Sequence, residues 1–349
     1  MTERIAVALS GGADSALAAS LLLSQGYRVF ALHLLLTRDA AALEQVSRAR
    51  ETAGRLVIEF EVVDAVDAFE DRVIVPFCSE YAAGRTPNPC ITCNRDIKTG
   101  LLLRAAIERG ADRLATGHYA RVSHHAGRFL LSRAVDHRAD QSYFLYAIDP
   151  SSLGRLALPL GELTRSEVRS LAVERNLVRG NSSQDICFVG GRDYRRFVAE
   201  RVPVEAGEIV DTKGRVMGRH RGLTSFTVGQ RHQLGVALGR PVYVVRLEPE
   251  HNRVVVGSVD ELMTGYARLN SLRWLVPQPR GRLVAQARAR YRSRCSAAVV
   301  TVTGASAVVR FEEPQRAVAP GQSVVLYDGD TVLGGGVVAA TGTEEPDGD

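Results

Sequence analysis

Short apolar runs alternate with amphipathic segments over the first part of the chain. The apolar runs have the length of buried strands and are residues 5–9, 29–36, 56–63 and 113–116. The segments between them have helical periodicity and are residues 15–24, 39–54, 66–82 and 96–109. Gly26 is placed to end the first helix, and Asp39 is placed to cap the second. This alternation predicts a parallel sheet with helices on both faces, which binds ligands beyond the carboxyl ends of its strands.

The pattern changes to short strands and turns after about residue 200. Residues 207–218 and 243–258 each read as a β-hairpin. Six further strand-like runs follow, at 268–276, 283–292, 296–303, 306–312, 322–328 and 331–340. The predicted fold class is therefore α/β, with an N-terminal parallel-sheet domain over 1–200. It is followed by a small β-rich central domain over 201–265 and a C-terminal β-barrel over 266–349. The acidic end of the chain is expected to fray.

Composition and charge narrow the class of protein. Apolar residues make up 45% of the 349 residues, yet no run approaches the length of a membrane span. The first residues, "MTERIAVALSGG", lack the basic region, apolar run and cleavage site that a signal peptide is expected to have. We therefore expect a cytoplasmic protein with no membrane partner; the sequence leaves its oligomeric state open. The formal charge is +5, and arginines crowd the segment 273–310 with almost no acidic residues between them. That segment is either a solvated basic face or a surface for phosphate groups.

Five cysteines are too few, and odd in number, for a disulfide framework in a chain of this length. Cys90 and Cys93 share the segment "PNPCITCN" (87–94), whose prolines and asparagines predict a loop. Cys-x-x-Cys is half of a zinc site, but only one motif cysteine, Cys187, follows at a distance. Cys78 and Cys295 match no motif and are expected to be structural.

The turn after the first strand reads Ser10-Gly11-Gly12-Ala13-Asp14-Ser15. Adjacent glycines let backbone N–H groups converge, and the helix that follows favours an anion at its N-terminus. The segment lacks the spacing and the lysine of a Walker A loop, and it is not G-x-G-x-x-G. It predicts a phosphate-binding loop of another kind.

This loop resembles the pyrophosphate (PP) loop of the N-type ATP pyrophosphatases. Six phrases then resemble, in order, the bacterial tRNA-specific 2-thiouridylases of the MnmA family, over nearly the whole chain. They are "GRTPNPCITCNRDIK" (84–98), "ATGHYAR" (115–121), "DQSYFLY" (140–146), "DICFVG" (185–190), "GQRHQLGV" (229–236) and "PGQSVVLYDGDTVLGGG" (320–336). The resemblance implies a sulfurtransferase that uses ATP and Mg²⁺ to replace the 2-oxygen of the wobble uridine of lysine, glutamate and glutamine tRNAs with sulfur. A cysteine desulfurase or a sulfur-relay protein is implied as the sulfur donor.

The resemblance also implies roles for particular residues. Cys187 matches the persulfide-bearing cysteine, and Cys93 matches its partner, whose thiolate can resolve the sulfur–sulfur bond. The ATP-contacting positions are Ala8, Leu9, Ser10, Gly11, Gly12, Ala13, Asp14, Ser15, Leu34 and Gly117. Asn88, Pro89 and Cys90 match the segment that touches the target base. The other tRNA-contacting positions are His118, Ala139, Asp140, Gln141, Arg290, Tyr291 and Gln322.

Cys90 departs from the family, since many members have aspartate there. Cys90, Cys93 and Cys187 could together hold a [4Fe–4S] cluster with one iron open to carry sulfide. Alternatively, Cys90 handles a proton beside a persulfide on Cys187. Both mechanisms remain open from the sequence.

Two other functions also remain open. The loop alone is compatible with another PP-loop ATP pyrophosphatase that acts on a small molecule. The arginine-rich region and the cysteines are compatible with an RNA-binding or iron–sulfur module that has no enzymatic activity.

Overall fold

The computed structural model describes residues 2–177, 186–189, 193–236 and 241–344. The first part of the chain forms β1 (Arg4–Ala8), α1 (Ala13–Ser24), β2 (Arg28–Leu35), α2 (Ala40–Leu56), β3 (Phe60–Asp64), α3 (Val66–Phe69), α4 (Val75–Ala82), α5 (Pro89–Thr92), α6 (Leu103–Glu108), β4 (Arg113–Ala115), β5 (Ala120–His125), β6 (Arg128–Arg133), β7 (Leu156–Ala157), α7 (Arg165–Glu174) and α8 (Tyr194–Ala199). Two π-helical stretches, Glu70–Ile74 and Cys93–Leu102, join α3 to α4 and α5 to α6.

Five of these strands form the predicted parallel sheet, in the order β3-β2-β1-β4-β7. The middle strands are buried on both faces, with Ile5, Ala6 and Val7 fully inaccessible, as expected for a sheet covered by helices. The chain moves outward from β1 in one direction through β2 and β3, and in the other through β4 and β7. A crevice therefore opens at the carboxyl ends of β1 and β4, where the strand order reverses.

One predicted strand boundary and one predicted loop are wrong. The third strand begins at Phe60 rather than at residue 56, because α2 continues to Leu56 and Val57 then takes a left-handed conformation with φ of 54°. The segment 87–94 is mostly helical, not a loop. Asn88 caps its start by accepting a hydrogen bond from the Cys90 amide, and Pro89 takes the first helical position, which proline favours. One continuous helix thus runs from Pro89 to Glu108.

The central part of the chain is a four-stranded sheet built from the two predicted hairpins. Its strands are β8 (Gly207–Asp211), β9 (Val216–His220), β10 (Tyr243–Glu248) and β11 (Arg253–Gly257), in the order β10-β11-β8-β9. Asn252, in the turn of the second hairpin, is left-handed with φ of 50°, which asparagine tolerates.

Each of the six predicted C-terminal runs forms a strand. They are β12 (Met263–Trp274), β13 (Gly281–Arg288), β14 (Ser296–Thr303), β15 (Ser306–Arg316), β16 (Ser323–Asp328) and β17 (Thr331–Gly342). Pairing of β12 with both β15 and β17 closes these strands into a six-stranded barrel around an aliphatic core. The fold class predicted from the sequence is confirmed. The tail, 345–349, lies outside the described residues.

The hairpin of β5 and β6 was not predicted, and it connects the two large domains. Its strand β6 pairs with β17 through Ser132 and Thr331, so the N-terminal domain extends the sheet of the barrel. No helix in the described part of the chain is long and apolar enough to cross a membrane.

A buried ion pair fixes the barrel against the N-terminal domain. Arg288, on β13, donates to the Asp140 carboxylate at 3.0 Å, and the Asp140 side chain has no exposed surface. The same carboxylate accepts from the Ala134 and Ser142 amides and from the Ser142 hydroxyl. Nearby, the Tyr143 hydroxyl donates to the Ser323 carbonyl of β16 at 2.8 Å. The two domains therefore share one core and one polar network.

We expect Arg288→Met to destabilise the protein by about 3–5 kcal/mol, because it leaves a buried carboxylate without its cation. Arg282→Met is the matched control, since Arg282 lies on the same strand and is exposed. Urea unfolding of the two variants measures the difference. Equal loss of stability in both would contradict this role for the ion pair.

Candidate active site

The loop between β1 and α1 is built to receive an anion. Gly11 has φ of +81°, and a Cβ there would lie 2.9 Å from the Gln45 carbonyl oxygen, so only glycine fits. The Ser15 hydroxyl donates to the Gly12 carbonyl and lies 3.1 Å from the Ser10 hydroxyl, which holds the loop in shape. Helix α1 has no side-chain cap at its N-terminus. Its first amides are therefore available to phosphate oxygens.

Groups from β2 and β4 hold this loop from both sides. The buried His33 ring donates from Nδ1 to the Leu9 carbonyl at 2.8 Å, and burial lowers the pKa of His33. Gly117, which follows β4, packs so closely that a Cβ would lie 3.0 Å from the Asp14 carbonyl carbon and the Ser15 nitrogen. His33 is a positioning residue that the sequence reasoning missed; a histidine within an apolar strand was its only signal.

Asp14 faces into the crevice, where burial and its polar neighbours act on its carboxylate in opposite directions. Burial raises the pKa of Asp14, while a hydrogen bond from the Tyr119 hydroxyl at 3.1 Å and the positive charge of Arg165 oppose that rise. The remaining predicted ATP-contacting positions lie close by. Ala8 ends β1 and Leu9 follows it, and Leu34 is half-buried near the end of β2.

The three predicted cysteines converge on one another. Cys93 is buried at the start of the π-helical stretch. Cys90 and Cys187 each expose part of their surface to solvent, but enough protein surrounds them for desolvation to raise the pKa of both thiols. Their charges interact pairwise, since ionised Cys187 would raise the pKa of both Cys90 and Cys93. Burial is the main cause that raises the pKa of Cys93 to about 12. Sequence positions 94 residues apart (93 and 187) thus form one thiol cluster.

Lys98 is the cation shared by this cluster. It lies five residues after Cys93 on the π-helical stretch, and its charge lowers the pKa of Cys90, Cys93 and Cys187. The same charge, after burial, lowers the pKa of His118 well below its ordinary value, so this imidazole is neutral. The sequence reasoning missed Lys98. Its signal was composition, because 42 of the 44 basic residues are arginine and only Lys98 and Lys213 are lysine.

The thiol cluster is one of the places where the sequence left a zinc or iron–sulfur site open. Within the described ranges, no three side chains of histidine, cysteine, aspartate or glutamate are arranged so that they could hold a metal ion. Cys90, Cys93 and Cys187 therefore do not fit a [4Fe–4S] cluster or a zinc ion as they are arranged here.

Two cavities beside the thiols collect most of the predicted tRNA-contacting residues. The central cavity, about 800 Å³, extends from Asp14 and Cys90 to the barrel and is lined by Ala139, Asp140, Gln141 and Tyr291. Its basic side chains are Arg133, Arg138, Arg165, Arg288, Arg292 and Arg294. The aromatic cavity, about 410 Å³, is lined by Thr86, Pro87, Asn88, Tyr143, Arg290, Tyr291, Arg292 and Gln322. Phe144 supports the Tyr291 ring at a centroid distance of 4.3 Å.

Some predicted contact residues are turned inward. The Asp140 carboxylate is occupied by the ion pair with Arg288, and Ala139 is buried. His118 binds the Thr116 hydroxyl through Nδ1 at 2.8 Å. The Gln322 side-chain carbonyl accepts from the Ala319 amide, although Gln322 still lines the aromatic cavity. Among the arginines of segment 273–310, Arg288 therefore acts structurally, whereas Arg290 and Arg292 face the cavities.

An uncapped loop at the switch point of a parallel sheet, with thiols and a basic cavity beside it, defines an α/β nucleotide-binding enzyme. Comparison with known proteins agrees. The profile of the tRNA methyl transferase HUP domain matches residues 3–191, that of the tRNA methyl transferase PRC-barrel domain matches 195–258, and that of the aminomethyltransferase beta-barrel domain matches 266–338.

Full-length relatives identify the family. The chain is 46% identical over 341 residues to the tRNA-specific 2-thiouridylase MnmA of Desulforudis audaxviator, covering 96% of this chain and 98% of that one. It is 44% identical over 358 residues to the protein of the same name from Carboxydothermus hydrogenoformans, covering 96% and 97%. The chain belongs to the tRNA-specific 2-thiouridylase (MnmA) family. Among solved structures, the U34-tRNA thiolase NcsA of Methanococcus maripaludis aligns with a TM-score of 0.35 at 20% identity, covering 57% of this chain and 63% of that one; so low a score supports no argument.

Gly117→Ala should weaken ATP binding, because the added Cβ pushes against the backbone of Asp14 and Ser15. We expect the KM for ATP to rise about 10-fold from a displacement of this kind. Gly54→Ala is the control, since a Cβ at Gly54 meets nothing within 4 Å. An unchanged KM in Gly117→Ala would show that the contact does not position the loop.

Lys98→Met should make the thiols less acidic, because a nearby cation favours the thiolate. The midpoint of the pH dependence of cysteine alkylation should therefore move to higher pH, measured by mass spectrometry on Cys90, Cys93 and Cys187. Lys98→Arg keeps the charge and should leave the midpoint near the wild-type value. A wild-type profile in Lys98→Met would rule out the electrostatic role.

Proposed function

We propose that this chain catalyses the ATP-dependent 2-thiolation of the wobble uridine in tRNA. The observation that carries the proposal is the position of the thiol cluster beside a phosphate loop at the same edge of one sheet. Membership of the 2-thiouridylase family along the full length supports it. The cavities lined by arginine and tyrosine support a substrate that is an RNA rather than a small molecule.

The PP loop binds the phosphates of ATP. The free amides at the start of α1 and the hydroxyl of Ser10 donate to phosphate oxygens, while the Ser15 hydroxyl, which donates to the Gly12 carbonyl, holds the loop in shape. Mg²⁺ is usually held by one or two carboxylates together with substrate phosphates, and Asp14 supplies a carboxylate at this place. When bound there, the ion neutralises phosphate charge. Arg165 adds a fixed positive charge on the same side of the crevice.

The chemistry needs activation, because the 2-carbonyl of uridine is a poor electrophile. Its oxygen attacks the α-phosphorus of ATP, and pyrophosphate leaves. A persulfide on Cys187 then attacks C2 with its terminal sulfur, and AMP departs with the former 2-oxygen. The Cys93 thiolate attacks the inner sulfur of Cys187, which releases the 2-thiouridine and leaves a Cys93–Cys187 disulfide for an external thiol to reduce.

Both sulfur nucleophiles of this reaction, the persulfide on Cys187 and the thiol of Cys93, react as anions at neutral pH. With a pKa of about 12, Cys93 is almost entirely protonated there. Lys98 favours the anionic form of each sulfur in the cluster, and its effect on Cys93 is strengthened because burial excludes water from that thiol. Cys90 stands where many relatives have aspartate, and we assign it proton transfer at the base edge.

The target uridine enters between the two cavities. Asn88 uses its side-chain oxygen to cap the helix, which leaves its amide N–H₂ free to donate to the base. Tyr291, supported by Phe144, offers a ring face for stacking, and Arg290 and Arg292 pair with nearby phosphates. His118, Ala139, Asp140, Gln141 and Gln322 shape this surface.

We assign a separate role in this reaction to each domain. Residues 1–200 carry ATP binding and Cys90, Cys93 and Cys187, residues 266–349 hold the RNA against them, and residues 201–265 link the two along the chain. The sulfur donor is a cysteine desulfurase or a relay protein. Cys187 is exposed to solvent, as loading by a donor protein requires.

Single cysteine variants test the mechanism. Cys93→Ala and Cys187→Ala should abolish 2-thiouridine formation, while Asp14→Ala should abolish tRNA-dependent AMP release. Cys90→Ala should retain part of the activity, and anaerobically purified protein should contain no iron or acid-labile sulfide. Bound iron that is lost in all three cysteine variants, together with their activity, would instead establish the cluster route.

The substrate is tested by gene deletion and by AMP release. Deletion should remove 2-thiouridine from lysine, glutamate and glutamine tRNAs, and intact 2-thiouridine would refute the proposal. AMP formation with a metabolite and without tRNA would identify a small-molecule enzyme.

A further inference from the structure

A second basic groove lies away from the PP loop, at the junction of the N-terminal domain and the barrel. This arginine groove has a volume of about 950 Å³ and is lined by Arg72, Arg95, Arg104, Asp149, Arg273 and Trp274, among others. Arg95 and Arg104 lie on the helix that begins at Pro89, whereas Arg273 and Trp274 end β12 of the barrel. The helix that turns Lys98 toward the thiols thus turns Arg95 toward this groove.

The charge balance of the groove is positive. Asp96 is occupied by Arg95, with two hydrogen bonds of 2.7 Å, and Asp149 accepts from the amide and hydroxyl of Ser151. Across the described ranges, Arg72, Arg104 and Arg273 form no salt bridge. Three guanidinium groups therefore face one groove without a bonded carboxylate, and Arg72 and Arg104 are exposed.

Trp274 adds an aromatic surface to these charges. Its indole Nε1 is buried and has no hydrogen-bond acceptor within the described part of the chain. Arginines around a half-buried aromatic ring suit a nucleic-acid backbone and its bases. Protein interfaces are also enriched in arginine and tryptophan, but their centres are otherwise depleted in charged residues. The uncompensated positive charge of this groove therefore favours a phosphate backbone.

We propose that the arginine groove binds the phosphate backbone of the tRNA at a point remote from the wobble nucleotide. This inference rests on the proposed function, since it takes the tRNA as substrate. It gives the enzyme a second binding surface for its substrate, formed by other residues of the helix that carries Cys93. Binding there fixes the tRNA on both domains at once.

The chain provides its own probe, because Trp274 is its single tryptophan. Titration with an unmodified lysine tRNA transcript should change the Trp274 fluorescence, and the dissociation constant should be measured at several salt concentrations. The double variant Arg72→Gln/Arg104→Gln should bind more weakly. Its slope of log Kd against log salt should fall by about 1.5, since each lost phosphate contact removes about 0.7–0.9.

The matched control is Arg28→Gln/Arg50→Gln, two exposed arginines on β2 and α2, outside the groove. It should keep the wild-type slope, and circular dichroism should show both double variants folded. An unchanged slope and Kd in Arg72→Gln/Arg104→Gln would overturn the inference. If sulfur loading of Cys187 by its donor fell instead, the groove would belong to a protein.

The same samples separate this inference from the proposed function. Wild-type protein that forms no 2-thiouridine would refute the function. Wild-type protein that forms it, while the groove variant binds tRNA as wild type does, would refute the groove alone.

Discussion

The buried pair of Asp140 and Arg288 is the constraint on which the rest of the arrangement depends. A carboxylate with no exposed surface is stable only with a cation and several donors, and here the cation comes from the other domain. The barrel cannot shift without breaking this network and the shared core around Tyr143, Tyr146 and Tyr327. The surfaces lined by Arg290 and Tyr291 are thereby held at a fixed distance from the PP loop, as a reaction between ATP and a large RNA requires.

The active site combines two opposed electrostatic demands. The surrounding protein raises the pKa of every thiol in the cluster by desolvation, most of all that of Cys93, which is the buried one. Lys98 offsets part of that rise from one position on the helix. The π-helical stretch that begins at Cys93 changes the usual helical register, and such stretches often occur at functional sites. It places Lys98 toward the thiols and Arg95 toward the opposite groove.

Several features were predictable from the sequence because their causes are local. Period and length gave four of the five strands of the sheet and all six strands of the barrel; the two-residue strand β7 (Leu156–Ala157) was too short to show a period and was missed. Asp39 caps α2, and Gly26 follows α1 with φ of +84°, since capping depends only on neighbouring residues. The helical form of "PNPCITCN" was missed although its cause is local too. Asparagine and proline are common in loops, but Asn88 as the cap and Pro89 at the first helical position also start a helix.

The sequence by itself determined the PP loop, the fold class, the candidate thiols and, through its ordered phrases, the family, because each is written in contiguous residues. Only the tertiary structure decided what those residues face. In the folded chain Cys187 lies near Cys90 and Cys93, and Lys98 lies close to all three. Asp140 is buried against Arg288, and the arginine groove lies between two domains. These are contacts between segments far apart in the chain, and they depend on the packing of β-strands and helices that no local pattern records.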